Sequence, residues 1–168
     1  MGYVNDKAFA QFIPTNLIIK TAGTWTPTLS ANTIAEIRGA AGATFNLMIP
    51  VLIPSNAEAL KGAKLVSIEV NYKIAVANMT SMGTVELEKM TISAAGVVTG
   101  VAAAVAVDGG HNSSVLRSAI GDHRLKVTLT TPVYIDNDEA YWLYMTASAP
   151  ASTIFSLWGA IANYELRA

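Results

Sequence analysis

The sequence contains no cysteine, which excludes a disulfide framework, thiolate zinc ligands and a thiol nucleophile. Charge is almost as scarce. Only 14% of the residues are Asp, Glu, Lys or Arg, against a usual share of about 25%. Eleven basic residues face twelve acidic ones, for a net charge of −1. A protein that neutralises nucleic-acid phosphate needs a basic surplus, and none is present. The first 35 residues hold only Lys7, Lys20 and Asp6, so a basic genome-packing arm is absent as well. With two histidines, any histidine-based metal site is capped at two imidazoles.

Long, strongly apolar runs are also lacking. Three stretches are free of charge: residues 39–57, 90–107 and 140–164. The first is broken by Gly42, Pro50 and Pro54, the second is mostly weakly apolar Ala, Gly, Thr and Val, and the third contains Pro150 and several hydroxyl residues. None supplies about 20 strongly apolar residues in a row, so no membrane span is expected. The leading residues show no basic segment followed by an apolar run, so no targeting peptide is expected.

What is present is apolar: 52% of the 168 residues are hydrophobic. With so little charge, either Thr, Ser, Asn and Ala cover the surface, or part of it is buried against other subunits. Large apolar surfaces mark interfaces, and the second reading is carried forward. It predicts a homo-oligomer.

The dominant hydrophobic period is two. Val66, Ile68, Val70, Tyr72 and Ile74 fall on one face of a strand, with Ser67, Glu69, Asn71 and Lys73 on the other. Leu125, Val127 and Leu129 alternate in the same way within residues 122–132. Residues 139–147 place Tyr141, Trp142, Leu143, Tyr144 and Met145 in succession, so both faces of that strand are expected to be covered. Residues 153–166 read as a closing strand, with Phe155, Leu157 and Ile161 on one face and Ile154, Trp158 and Tyr164 on the other. Gly159 in its middle predicts a bulge or a close backbone approach. Further strands are expected at 43–53, 83–93 and 97–107. Short helices are expected at 56–60, capped by Ser55, and at 113–120.

Turn signals recur between these runs, as in Ala95-Gly96, Asp108-Gly109-Gly110 and Asp136-Asn137-Asp138. Their spacing suits an all-β sandwich or barrel of short antiparallel strands, and the antiparallel β-sandwich is the reading carried forward. Residues 1–28 form an irregular N-terminal arm or first strand in this reading, and residues 29–168 a single sandwich domain. The arm, with Phe9, Phe12, Ile13, Leu17, Ile18 and Ile19, either packs along its own sandwich or reaches a neighbouring subunit.

Candidates for chemistry are few. Asp108, His111, Ser113 and Ser114 share one loop, but residues so near in sequence rarely align as a triad, and no Gly-x-Ser-x-Gly elbow is present. A glycine-rich turn with a solvated imidazole is the expected reading. Asp136, Asp138 and Glu139 supply oxygens of the kind calcium takes, and an Asx-turn accounts for the same residues without an ion. Glu86 and Glu88 lie on one face of a strand, where solvated carboxylates are the expectation and a glycosidase pair the alternative. Trp25, Trp142, Trp158, Tyr134, Tyr141 and Tyr144 are candidates for sugar stacking or, as strand residues, for core and interface. Arg124-Leu125-Lys126 reads as the wet face of a strand. No cofactor and no catalytic residue is predicted.

Several segments in order carry a resemblance. Leu60-Lys61-Gly62-Ala63-Lys64-Leu65 enters a strand ending in Tyr72-Lys73. Gly121-Asp122-His123-Arg124-Leu125, Pro132 and Ile135-Asp136 follow, then Ala140-Tyr141-Trp142-Leu143. A final strand holds Phe155, Gly159-Ala160 and Tyr164. Over residues 43–166 the pattern resembles jelly-roll virion proteins of bacteriophages. The resemblance implies a non-enzymatic structural role in a virus particle, as capsid, decoration or tail-associated subunit. It also implies a homo-oligomer that is a trimer or larger, contact with other virion proteins and assembly in the host cytoplasm. Collagen-like and heptad repeats are absent, against a fibre shaft. The alternative is a carbohydrate- or surface-binding β-sandwich module.

Overall fold

The structure, a computed structural model, describes residues 6–30, 33–39, 42–54 and 62–167. The chain runs through β1 (Asp6–Ile13), a 3₁₀ turn (Thr15–Leu17), β2 (Ile19–Lys20), β3 (Trp25–Ser30), β4 (Thr33–Arg38) and β5 (Ala43–Pro50). It continues through β6 (Ala63–Ala75), β7 (Ser81–Ile92), β8 (Val98–Ala103) and β9 (Val105–Val107). A short helix, α1 (Ser114–Ser118), precedes β10 (Gly121–Tyr134), β11 (Glu139–Ala149) and β12 (Ile154–Arg167). No helix among the described residues is long and apolar enough to cross a membrane.

The strands form two antiparallel sheets. The first has the order β3-β4-β12-β6-β10-β9, with β1 also on β12; the second has the order β2-β5-β11-β7-β8. Four of the pairings are nested: β4 with β12, β5 with β11, β6 with β10, and β7 with β8. All four close on the same turn at Ala95-Gly96, where the Gly96 amide donates to the Ser93 carbonyl. The chain from β4 to β12 is therefore one long antiparallel hairpin. Its successive pairs go alternately to the two sheets, which is the jelly-roll form of the sandwich.

Alternation places the core. Ile68, Val70, Tyr72 and Ile74 of β6 are fully buried between the sheets, and Leu125, Val127 and Leu129 of β10 join them. Val66 departs from the expected face. Against β12 the register passes from Ser67↔Asn163 to Leu65↔Tyr164, so Val66 is an extra residue on β6. One extra residue reverses the alternation, and Leu65 and Ala63 take the buried side instead.

The same physics corrects β12. Its register steps from Leu157↔Tyr72 to Gly159↔Asn71, leaving Trp158 unopposed. Beyond this bulge Ala160, Ala162 and Tyr164 face inward, not Ile161. Both readings of Gly159 hold. Its φ is +121°, and a Cβ there lies 2.7 Å from the Ile13 carbonyl oxygen and 2.9 Å from the Phe12 ring.

Two other expectations change. Residues 97–107 are strand, but the run divides at Ala104: β8 pairs with β7 in the second sheet, and β9 with β10 in the first. The leading segment is less irregular than expected. β1 runs along β12 of its own chain from Asp6↔Arg167 to Ile13↔Ala160. Ile13 and Ile18 are buried in the core, and the 28/29 boundary falls inside β3. The helix at 56–60 with its Ser55 cap lies outside the described residues; the one at 113–120 is α1, capped by the Ser113 hydroxyl.

A row of rings crosses the sandwich. Trp25 and Phe45 meet edge to face at 5.6 Å, Phe45 and Phe155 at 5.4 Å, and Tyr72 stacks on Phe155 at 5.3 Å. Arg38, fully buried, lies over the Phe45 ring at 4.7 Å. Ring pairs of this kind add about 0.5–1.5 kcal/mol each beyond their burial, so the row ties both sheets to β3.

Candidate functional site

β11 sits in the middle of the second sheet, and pleating sends its successive side chains to opposite faces. Tyr141, Leu143 and Met145 go inward and are buried. Trp142, Tyr144 and Thr146 go outward, where the two rings are half-buried. Within the single chain, Ile19, Met48 and Glu88 flank the two rings on this outer face.

The register decides what surrounds the rings. Trp142 stands opposite Glu88 of β7 and Pro50 of β5. Tyr144 stands opposite Glu86 and Met48, and Thr146 opposite Asn46. β2 adds Ile19 beside Met48. Ile19, Met48, Glu88, Trp142 and Tyr144 line a shallow depression of about 270 Å³. Toward the sheet edge, small residues follow: Ala102 opposite Glu88 and Gly100 opposite Met90. The face therefore offers two aromatic surfaces, a methionine and two carboxylates, with only Ala102 and Gly100 beside Glu88 and Met90 on the neighbouring edge strand.

Glu86 and Glu88 do share this face, as their spacing predicts. Glu86 is exposed, whereas Glu88 is half-buried against the aromatic depression. Met48 and Ile19 carried no signal in the sequence, because only strand pairing brings them to β11. Of the other aromatic candidates, Trp25 belongs to the ring row of the core. The Tyr141 hydroxyl points to Glu139 Oε2 at 3.3 Å, and burial, followed by the Glu139 charge, raises its pKa. Tyr134 and Trp158 are half-buried in the first sheet.

The acidic residues Asp136, Asp138 and Glu139 converge, with carboxylate oxygens all within 4.8 Å of one another. The Glu139 carboxylate is already engaged by the Lys89 ammonium, the Tyr141 hydroxyl and the Asp136 amide. The hydrogen bond that Lys89 donates to the Glu139 carboxylate raises the Lys89 pKa. The Glu139 amide donates to the Asp136 carbonyl at 3.2 Å, which closes a backbone turn ahead of β11. A calcium ion here has to compete with Lys89.

The loop Asp108–Ser114 corrects a further expectation. His111 is not a solvated imidazole; its side chain is 14% exposed and contacts Asp108 and His123. Neither serine lines up with it as a nucleophile. The Ser113 hydroxyl accepts from the Leu116 amide, and that of Ser114 from the Met82 amide. Arg124 and Lys126 do form a wet face, Arg124 paired to the nearly buried Glu69.

No protein-family model matches the sequence, and no curated protein matches it significantly. Solved structures of similar architecture include a xylan-binding module, 12% identical, covering 96% of this chain and 97% of that one with a TM-score of 0.42. Another is a carbohydrate-binding module of the β-sandwich superfamily, at 8% identity and a TM-score of 0.42. It covers 92% of this chain, which spans about half (55%) of the length of that structure. A third is the enzymatically active domain of tailspike protein 4 of bacteriophage CBA120. It is 10% identical, covers 92% of this chain and 19% of that one, and has a TM-score of 0.33. These likenesses are of architecture. The expectation of a jelly-roll sandwich holds; its finer half, kinship with virion proteins, is not supported.

Proposed function

We propose that the protein is a β-sandwich binding module that holds carbohydrate on the outer face of its second sheet. The observation that carries this reading is the pair Trp142 and Tyr144, adjacent on one face with Glu88 and Glu86 directly across β7. A pyranose presents an apolar C–H face and a rim of hydroxyls. An aromatic surface takes the first and carboxylates accept hydrogen bonds from the second. A neutral ligand also suits a chain whose own charge nearly cancels.

The test is affinity electrophoresis and calorimetry against a panel of soluble plant and bacterial polysaccharides. At least one is expected to bind, and Trp142→Ala is expected to weaken it about tenfold or more, equivalent to about 1.4 kcal/mol. The unfolding midpoint should hardly move, because the ring is half-exposed. Absence of binding across the panel, or a Trp142→Ala variant that binds as tightly as its parent, rejects the reading.

A second reading, a subunit of a larger homo-oligomer such as a virus particle, is favoured by the uncovered edges. Val98 and Val101 on the edge strand β8 are 58% and 64% exposed, and Leu29 and Ile34 in the β3–β4 hairpin 73% and 67%. Apolar edges invite pairing with another chain. Light scattering on the eluting protein is expected to give a trimeric or larger mass if this role holds. A monomer at every concentration removes it.

A further inference from the structure

We propose that His111 and His123, the two histidines of the chain, form a binding site for a divalent transition metal, with Zn²⁺ as the fitting ion.

The argument is one of proton positions. Asp108 is held by the Lys126 amide at 2.8 Å and the Gly110 amide at 3.0 Å. Both of its carboxylate oxygens thus accept from backbone N–H groups, Oδ2 from Lys126 and Oδ1 from Gly110, the arrangement that suits an ionised carboxylate. An ionised carboxylate only accepts. The His111 Nδ1 at 2.8 Å from Asp108 Oδ1 therefore carries the hydrogen. At the other end, His123 Nε2 lies 2.8 Å from the Ala119 carbonyl oxygen, which also only accepts, so this nitrogen carries the hydrogen of the second ring.

The remaining nitrogens, His111 Nε2 and His123 Nδ1, face each other at 3.2 Å. In two neutral rings both are lone pairs, and the contact is repulsive until an electrophile is shared between them. Zinc–imidazole bonds of about 2.0–2.1 Å at a tetrahedral angle place two ligand nitrogens roughly 3.3–3.4 Å apart. The observed spacing needs only a slight opening. Each ring also has the outer partner that zinc-binding imidazoles use, a carboxylate on one and a backbone carbonyl on the other.

The rings are held from the sides too. Tyr72 stacks on His123 at 4.6 Å with an 8° angle between planes. The Arg117 guanidinium donates to the His111 carbonyl at 2.7 Å, which anchors the loop. The ion would join the Asp108–Ala119 segment to the start of β10, with water completing its shell. This inference is independent of the carbohydrate face, since no residue is shared.

The test titrates zinc into the intact protein and reads the imidazole ¹⁵N resonances and the thermal midpoint, with Ca²⁺ and Mg²⁺ as controls. One equivalent of Zn²⁺ should shift the Nε2 resonance of His111 and the Nδ1 resonance of His123. An excess near a hundred times the dissociation constant should raise the midpoint by about 5 °C or more. Ca²⁺ and Mg²⁺ should do neither. Asp108→Asn should weaken zinc about tenfold or more by releasing the tautomer of His111. Two outcomes overturn the proposal: no shift in either ring of the parent protein, or a zinc-dependent midpoint that survives in the His111→Gln/His123→Gln double variant. The resonance measurement needs no variant, so it decides the matter even if the variants misfold.

Discussion

Val70→Asp is expected to leave no cooperatively folded protein. Val70 is fully buried on β6, opposite Leu125 of β10 on one side and Ala160 of β12 on the other. A carboxylate there has no cationic partner on either flanking strand at that register. An unpaired buried acid costs several kcal/mol, and a typical domain holds only about 5–15 kcal/mol in total. The variant should accumulate as insoluble protein or lose its thermal transition. A soluble Val70→Asp variant with a sharp transition would show that the buried face of β6 has been assigned to the wrong residues.

Arg117→Met is the second large effect. Arg117 lies in α1, yet it is buried and its guanidinium donates to the carbonyls of Met82, Gly83 and His111. Its own carbonyl accepts from the Tyr72 hydroxyl at 2.9 Å. Burial lowers the arginine pKa and raises that of Tyr72. Methionine keeps the length of the side chain but removes its donors. A buried acceptor left without a partner costs about 1–3 kcal/mol; the Met82 carbonyl is buried and those of Gly83 and His111 are partly so, so a loss of at least about 1 kcal/mol is expected. Urea unfolding measures it directly. A variant within about 0.5 kcal/mol of its parent, inside the range of ordinary surface substitutions, would show that these bonds contribute little.

The two residues differ in how far they could be read in advance. Val70 sits in the clearest run of alternating residues in the chain, and its burial follows from period two alone. Arg117 looks like one exposed charge in a short helix. Its burial depends on β7 bringing two free carbonyls to the end of α1, which no local pattern announces. Gly159 is intermediate. A glycine inside a strand predicted the bulge, but the reason no side chain fits there is the Ile13 carbonyl, more than a hundred positions away in the chain.

The candidate site divides in the same way. Trp142, Tyr144, Glu86 and Glu88 were all visible as residues with aromatic or acidic chemistry, and Glu86 with Glu88 as a same-face pair. Their meeting on one surface was not visible, because it requires β11 to lie between β5 and β7 in a particular register. The imidazole pair was hidden more deeply. His111 and His123 are twelve positions apart with a helix between them, and only the close of the loop onto β10 turns their nitrogens toward each other.

Local alternation and glycine turns were sufficient to determine an antiparallel all-β chain with its central strands and most of its core, because pleating and burial act over neighbouring residues. Tertiary structure alone decided where alternation reverses at Val66 and Trp158, that β1 closes on β12 of the same chain, and which polar groups meet. Those outcomes depend on the register between distant strands, and a shift of one residue moves every side chain beyond it to the opposite face.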